Sequence, residues 1–143
     1  MTRHSLSEEK KHGIRILLVE DNPVNQKVAL SMLKRLDYRA DVANNGLAVL
    51  SSLERKAYDV ILMDIQMPGM DGFELCKSLR ALPGYRRTPV IYVTSHSDFD
   101  TRARSVLSGS NDLIAKPIFP MELAVKALTH LLKSQLAGQK PVR

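Results

Sequence analysis

Hydrophobic and polar positions alternate between two kinds of segment along this chain. Ile14–Val19 (IRILLV) is a short, nearly continuous apolar run, the pattern of a strand covered on both faces. Asn22-Pro23 then supplies a cap residue and a proline for the first helical position. Val24, Val28, Met32 and Leu36 follow at a spacing of four, which predicts a helix carrying them on its inner face. Ala40 and Val42 alternate with charged residues in a short edge strand. Asn44-Asn45-Gly46 turns the chain into a second helix built on Leu47, Leu50 and Leu53.

Tyr58–Met63 (YDVILM) reads as the next buried strand, followed by Asp64 and a loop containing Pro68 and Gly69. Asp71 can cap a third helix whose inner face is Leu75, Cys76, Leu79 and Leu82. Pro89–Val93 (PVIYV) is a fourth strand. Asp98 or Asp100 opens a fourth helix with Ala103, Val106 and Leu107, ended by Gly109. Leu113–Ala115 is a short fifth strand, and Pro120 opens a last helix bearing Leu123, Leu128, Leu131 and Leu132. Strands alternating with helices imply right-handed βαβ crossovers and a parallel sheet with helices on both faces.

Length and composition narrow this picture without changing it. At 143 residues, with 44% apolar and 25% charged positions, the chain is of one-domain size and ordinary globular composition. The domain is expected over 14–132, with a flexible segment or linker at 1–13 and the end of the last helix and a flexible tail at 133–143. The polar start (MTRHSLSEEKKHG) does not resemble a secretory signal, no apolar run is long enough for a membrane span, and a single cysteine fits a reducing cytoplasm. The net charge of +6 would invite a nucleic-acid reading, but it divides as +1 over 1–13, +3 over 133–143 and only +2 over the rest. No stretch interleaves aromatics with Lys and Arg, so nucleic-acid binding by this chain alone is not expected.

The chemistry lies at the strand ends. Ligands of open parallel sheets bind beyond the carboxyl ends of the strands. Glu20 and Asp21 follow the first apolar run, Asp64 the third, Thr94 and Ser95 the fourth, and Lys116-Pro117 the fifth. Each has a plain alternative: Asp21 and Asn22 as helix caps, Asp64 as a loop acid, Thr94 as a strand-end residue. Coincidence, however, would have to produce all of them in order, each at the same end of its strand. Three adjacent carboxylates repel unless a cation offsets them, and hard oxygen donors of this kind suit Mg²⁺. A carboxylate nucleophile, a metal, an ammonium and a hydroxyl are the parts of phosphoryl acceptance.

The stretches ILLVEDNPVNQKVA, DVILMDIQMPGMDG, VIYVTS and LIAKPI, in that order, resemble the receiver domains of two-component signalling over about residues 14–132. They are most like the receivers of hybrid sensor histidine kinases. The resemblance implies a flavodoxin-like (βα)5 three-layer sandwich with strand order 2-1-3-4-5. It implies that Asp64 takes a phosphoryl group from a phosphohistidine on a histidine kinase or histidine phosphotransfer domain. Glu20, Asp21, Asp64 and the Gln66 carbonyl would hold Mg²⁺ or Mn²⁺, with Glu20 acting largely through water. Thr94 and Lys116 match the switch hydroxyl and the lysine, and the Lys116-Pro117 peptide would be cis. Such a domain catalyses only its own phosphorylation and dephosphorylation, and is a signalling module rather than an enzyme acting on other substrates. The family also admits homodimers through the last strands and helices. The downstream effector stays open.

Some positions depart from the family pattern. Leu113 stands where receivers carry Tyr or Phe three residues before the lysine, and Ser95 stands where the small residue is usually Ala. Gln66 and His96, each two places beyond Asp64 and Thr94, occupy positions that in this family govern access of the hydrolytic water. Leu113 motivates an alternative, a protein-binding module on the same fold that works without phosphate. A phosphatase using an aspartyl-phosphate would want an acid at Gln66, and a nucleotide binder a Gly-rich loop in place of VEDNPVN. Residues 133–143 are too few for an output domain. A stand-alone regulator or a receiver within a longer chain is therefore expected.

Overall fold

The computed structural model describes residues 14–67, 69–96 and 98–138. The expectations for 1–13, for the last residues of the tail and for Pro68 lie outside the described residues. Five parallel strands, β1 (Arg15–Val19), β2 (Arg39–Ala43), β3 (Val60–Asp64), β4 (Val90–Thr94) and β5 (Asp112–Ala115), form one sheet in the order 2-1-3-4-5. Between and after them run α1 (Pro23–Arg35), α2 (Gly46–Arg55), α3 (Gly72–Arg80), α4 (Phe99–Leu107) and α5 (Pro120–Gly138). The loop after β3 carries a short antiparallel pair, Gln66–Met67 with Met70–Asp71. This is the doubly covered parallel sheet that the alternating segments predict, with β2 at an edge.

Strand alternation divides the core in two. Ile16, Leu18, Val60, Leu62, Ile91 and Ile114 face α1 and α5, which bury Ala29 and Leu33, and Leu123, Ala127 and Leu131. Leu17, Val19, Ile61, Met63, Tyr92 and Leu113 face the other way, where α2 and α3 bury Val49, Leu53, Leu75, Cys76 and Leu79. Cys76 is thus a core residue, as its helical spacing suggests. All five residues of β3 are buried, as befits the central strand.

Helix ends follow local chemistry. Asn22 caps α1 by accepting from the N–H groups of Val24 and Asn25, and Asp98, not Asp100, caps α4 by accepting from Thr101. Gly109 ends α4 at φ +97°, with Ser110 N–H donating to the Ser105 carbonyl. Asp37 takes the same role after α1 at φ +64°, where Tyr38 N–H donates to the Leu33 carbonyl.

The inner faces of four helices differ from the sequence expectation. Val24 and Val28 are exposed on α1, whose buried residues are Ala29 and Leu33. A row of side chains at spacing four drifts by about 40° per step on a helix of 3.6 residues per turn, so Val24 and Leu36 cannot share one narrow face. In α2, Leu47 is exposed while Val49, Ser52 and Leu53 turn inward. In α5, Leu128 and Leu132 are about half exposed beside the buried row of Leu123, Ala127 and Leu131. The largest departure is α4, where Val106 and Leu107 face out and Ser105 is the one buried residue.

Arg80, at the end of α3, fastens the sheet's far side. Its guanidinium donates to the carbonyls of Gly109, Tyr85 and Thr88 and to Asn111 Oδ1, and that same oxygen accepts from Val90 N–H. One fork thus joins α3, the turn after α4 and the entrance to β4. Arg80→Ala leaves several of these acceptors without their charged donor. It should lower the unfolding free energy by about 3 kcal/mol in urea titration. Arg80→Lys should recover only part of that, because an ammonium cannot reproduce the planar fork.

Candidate functional site

Parallel register brings the carboxyl ends of the strands to one rim. Val19 pairs with Met63, Asp64 with Val93, and Thr94 with Ala115, so the residues that follow each strand emerge side by side. At the end of β1, Glu20 N–H donates to the Ala43 carbonyl on β2. The cap of α1 then fixes Glu20 further. Asn22 N–H donates to Glu20 Oε2 at 3.2 Å, and Gln26 Nε2 donates to the Glu20 carbonyl at 2.7 Å. The capping sequence therefore also orients the first acid of the site.

Asp64 ends β3 and is buried. Its Oδ1 accepts from Gln66 N–H at 2.8 Å, and its Oδ2 accepts from Lys116 Nζ at 3.0 Å. Lys116 Nζ also lies 3.8 Å from Glu20 Oε1, so one ammonium faces two buried carboxyls. The Lys116-Pro117 peptide is cis, as the resemblance implies. Burial, reinforced by the charge and hydrogen bonding of Asp64, pushes the Glu20 carboxyl up to about 7, against the opposing pull of Asn22 N–H and Lys116. A cavity of about 250 Å³ opens onto these groups, lined by Glu20, Asp64, Lys116, Asn25, Val28 and Pro117 among others.

Thr94 is fully buried, and its Oγ1 accepts from His96 N–H at 3.0 Å. It lines a second cavity of about 450 Å³, with Gln66, Asp71, Phe73, Thr101 and Arg104, between the loop after Asp64 and α4. Above the rim the Gln66 side-chain amide meets His96 Nδ1, and Ser95 Oγ donates to Gln66 Oε1 at 3.4 Å. Gly72 lets the loop close on the start of α3, since a Cβ there would stand 3.0 Å from Ile65 Cα.

The structure thus gathers Glu20, Asp64 and Lys116 around one cavity and Thr94 and Gln66 around the other, with Gln66 N–H bonded to Asp64 and with Ser95 and His96 exposed. Asp21 is half-buried beside Glu20. Leu113 is not at the rim but in the core, register partner of Tyr92. Among the described residues, no three His, Cys, Asp or Glu side chains come together as a ready-made metal cage. The donor set nevertheless fits a hard divalent cation: it is all oxygen, and two buried acids share a single compensating lysine. Sequence reasoning missed Gln26, whose only signal is its place one turn into the capped helix. It also missed the contact of Gln66 with His96, which joins residues 30 apart.

An acid held near 7 binds more protons folded than unfolded between its ordinary value of 4.5 and 7. In metal-free protein the Glu20 contribution to stability should therefore be present below pH 4.5 and decline as pH rises toward 7. Replacing Asp64 by Asn removes the neighbouring charge and should move the Glu20 midpoint down, measurable by carboxyl NMR titration. An unchanged midpoint would mean that the two acids do not sense one another.

The profile of the response regulator receiver domain matches residues 16–128. Over 113 residues the chain is 34% identical to the signal transduction histidine-protein kinase BarA of Shigella flexneri, covering 79% of this chain and 12% of that protein. Over 124 residues it is 43% identical to histidine protein kinase 1 of Candida albicans, covering 80% of this chain and 5% of that one. The chain thus spans a small part of the length of the curated relatives it matches. Among solved structures it resembles the receiver domain of sensor histidine kinase PA1611 from Pseudomonas aeruginosa, which has a magnesium ion coordinated in its active site cleft. The TM-score is 0.77 at 39% identity, over 83% of this chain and 98% of that one. The chemotaxis protein CheY4 of Vibrio cholerae follows at TM-score 0.75 and 26% identity, over 82% and 98%. With the same fold and the same order of strand-end groups, the chain belongs to the response regulator receiver domain family, the receiving module of two-component signalling as found in hybrid histidine kinases.

Proposed function

We propose that Asp64 is the phosphoacceptor of this receiver, taking a phosphoryl group from a phosphohistidine on a histidine kinase or a histidine phosphotransfer domain. The observation that carries the reading is the pair of contacts on its carboxylate. Gln66 N–H holds one oxygen at 2.8 Å, while Lys116 Nζ sits 3.0 Å from the other, on the cavity side. The Asp64 oxygen attacks phosphorus as the P–N bond breaks, and the departing imidazole keeps the bond's electron pair. Lys116 then passes from the carboxylate to a phosphoryl oxygen, and the Thr94 hydroxyl donates to another. Glu20, Asp21, Asp64 and the Gln66 carbonyl would hold Mg²⁺ or Mn²⁺. Bound there, the ion supplies charge neutralisation for the incoming phosphoryl group.

Val28, Pro117 and Ile118 line the same cavity and give its mouth an apolar border, suited to excluding water as a partner seats. Ser95, small beside Thr94, leaves the rim open. Leu113 in the core would also suit a module that binds without phosphate. That alternative, however, gives no reason for two buried acids and a lysine to converge on a cavity.

Acetyl phosphate with Mg²⁺ should add one phosphoryl group to the wild-type protein by mass spectrometry, and beryllofluoride should perturb the amide spectrum around Asp64. Asp64→Asn should abolish both responses. An equal response in that variant, or none in wild type, would overturn the assignment.

The exposed bridge of Gln66 and His96 stands over the rim, where water would approach an acyl phosphate. Substituting Gln66 or His96 by Ala should shorten the phosphate lifetime by about fivefold, a barrier change of roughly 1 kcal/mol. The decay of radiolabelled phosphoprotein measures it. A slower or unchanged decay would place the water's path elsewhere.

A further inference from the structure

Helix α4 sits on the sheet differently from the other four. They bury aliphatic or aromatic side chains, whereas the one buried residue of α4 is Ser105, joined by its cap Ser108, while Phe99, Val106 and Leu107 face out. Its seat is therefore a matter of a few oriented polar contacts rather than of buried area. The deepest of these is to Tyr92, the one tyrosine in the sheet's interior and fully buried.

The Tyr92 hydroxyl stands 2.7 Å from Ser108 Oγ and 3.3 Å from the Gly72 carbonyl. Ser108 Oγ is in turn 2.8 Å from the Ser105 carbonyl. Two proton arrangements satisfy these atoms. In one, Tyr92 donates to Ser108, which donates to Ser105. In the other, Ser108 donates to Tyr92, which donates to Gly72. The hydroxyl thus touches both the end of α4 and the first residue of α3, where the loop after Asp64 closes. Burial keeps the phenol protonated throughout the ordinary pH range.

The ring adds a second link between the same elements. Tyr92 meets Phe73 edge-on, with centroids 5.4 Å apart. The Arg104 guanidinium of α4 lies 4.4 Å over Phe73 and 3.8 Å from Asp71 Oδ2. Tyr92 is also two residues before Thr94 on β4 and is the register partner of Leu113, where receivers carry an aromatic.

We propose that the Tyr92 hydroxyl is a positioning group that seats α4 and couples it to the loop following Asp64. Loosening the seat loosens the loop, and conversely.

Hydrogen exchange tests this on the free protein. Tyr92→Phe keeps the ring and removes the hydroxyl. It should speed exchange about tenfold in α4 and also in residues 69–72, leaving α1 and α5 unchanged. Ser108→Ala leaves Tyr92 able to donate to Gly72 and should speed exchange in α4 alone. In α4 the double variant should fall short of the sum of the two, because the Tyr92–Ser108 contact is common to both. For Tyr92→Phe, a change below threefold in α4, a change confined to one of the two segments, or a uniform rise that includes α1 and α5 would overturn the proposal, as would additive effects of the two variants in α4. A second arm rests on the phosphoacceptor reading. Beryllofluoride with Mg²⁺ should loosen α4 in wild type and bind severalfold more tightly to Tyr92→Phe, since the seat no longer resists it. Equal affinity for both proteins would overturn the coupling. If wild type fails to bind the analogue, the phosphoacceptor reading falls, while exchange without it still decides the role of Tyr92.

Discussion

Two buried carboxyls, Glu20 and Asp64, share one ammonium at the rim of a parallel sheet, and the placement of the rest serves that arrangement. Taking two acids out of water is unfavourable, and a single lysine offsets only part of the cost. The burial that lifts Glu20 to about 7 is the measure of what remains. The sheet holds the groups in place because β1, β3 and β5 run parallel in fixed register. Their ends cannot separate without breaking the ladder. Asn22, by capping α1 and donating to Glu20, makes a helix start part of the same device.

The strands were legible because strands buried on both faces write their burial into composition. IRILLV, YDVILM and PVIYV needed no tertiary information, and the observed boundaries differ by one or two residues. Helix faces were less legible. A stripe read at one spacing assumes that the helix meets a flat surface along its whole length, and Val24, Leu47 and Leu128 show that it does not. For α4 the assumption failed altogether, because the sheet presents a phenol there and the helix answers with serines. That match is invisible until Tyr92 and Ser108, 16 residues apart, are brought together.

The site divides along the same line. Asp64, Thr94 and Lys116 were readable because each ends a strand, and topology turns that local fact into proximity. What topology does not encode is the orientation of side chains after they arrive. The sequence places Thr94 on the same rim as Asp64, yet its hydroxyl is engaged by His96 N–H and the residue lines a different cavity. Likewise Gln66 and His96 are recognisable by position, but their contact depends on rotamers set by the surrounding loops.

The two cavities are separate, yet one loop serves both. Asp64 and Lys116 line the one beside α1, and Thr94 and Gln66 the one between the Asp64 loop and α4. Because the N–H of Gln66 holds the Asp64 carboxylate, a change at the acid has a direct mechanical path into the second recess.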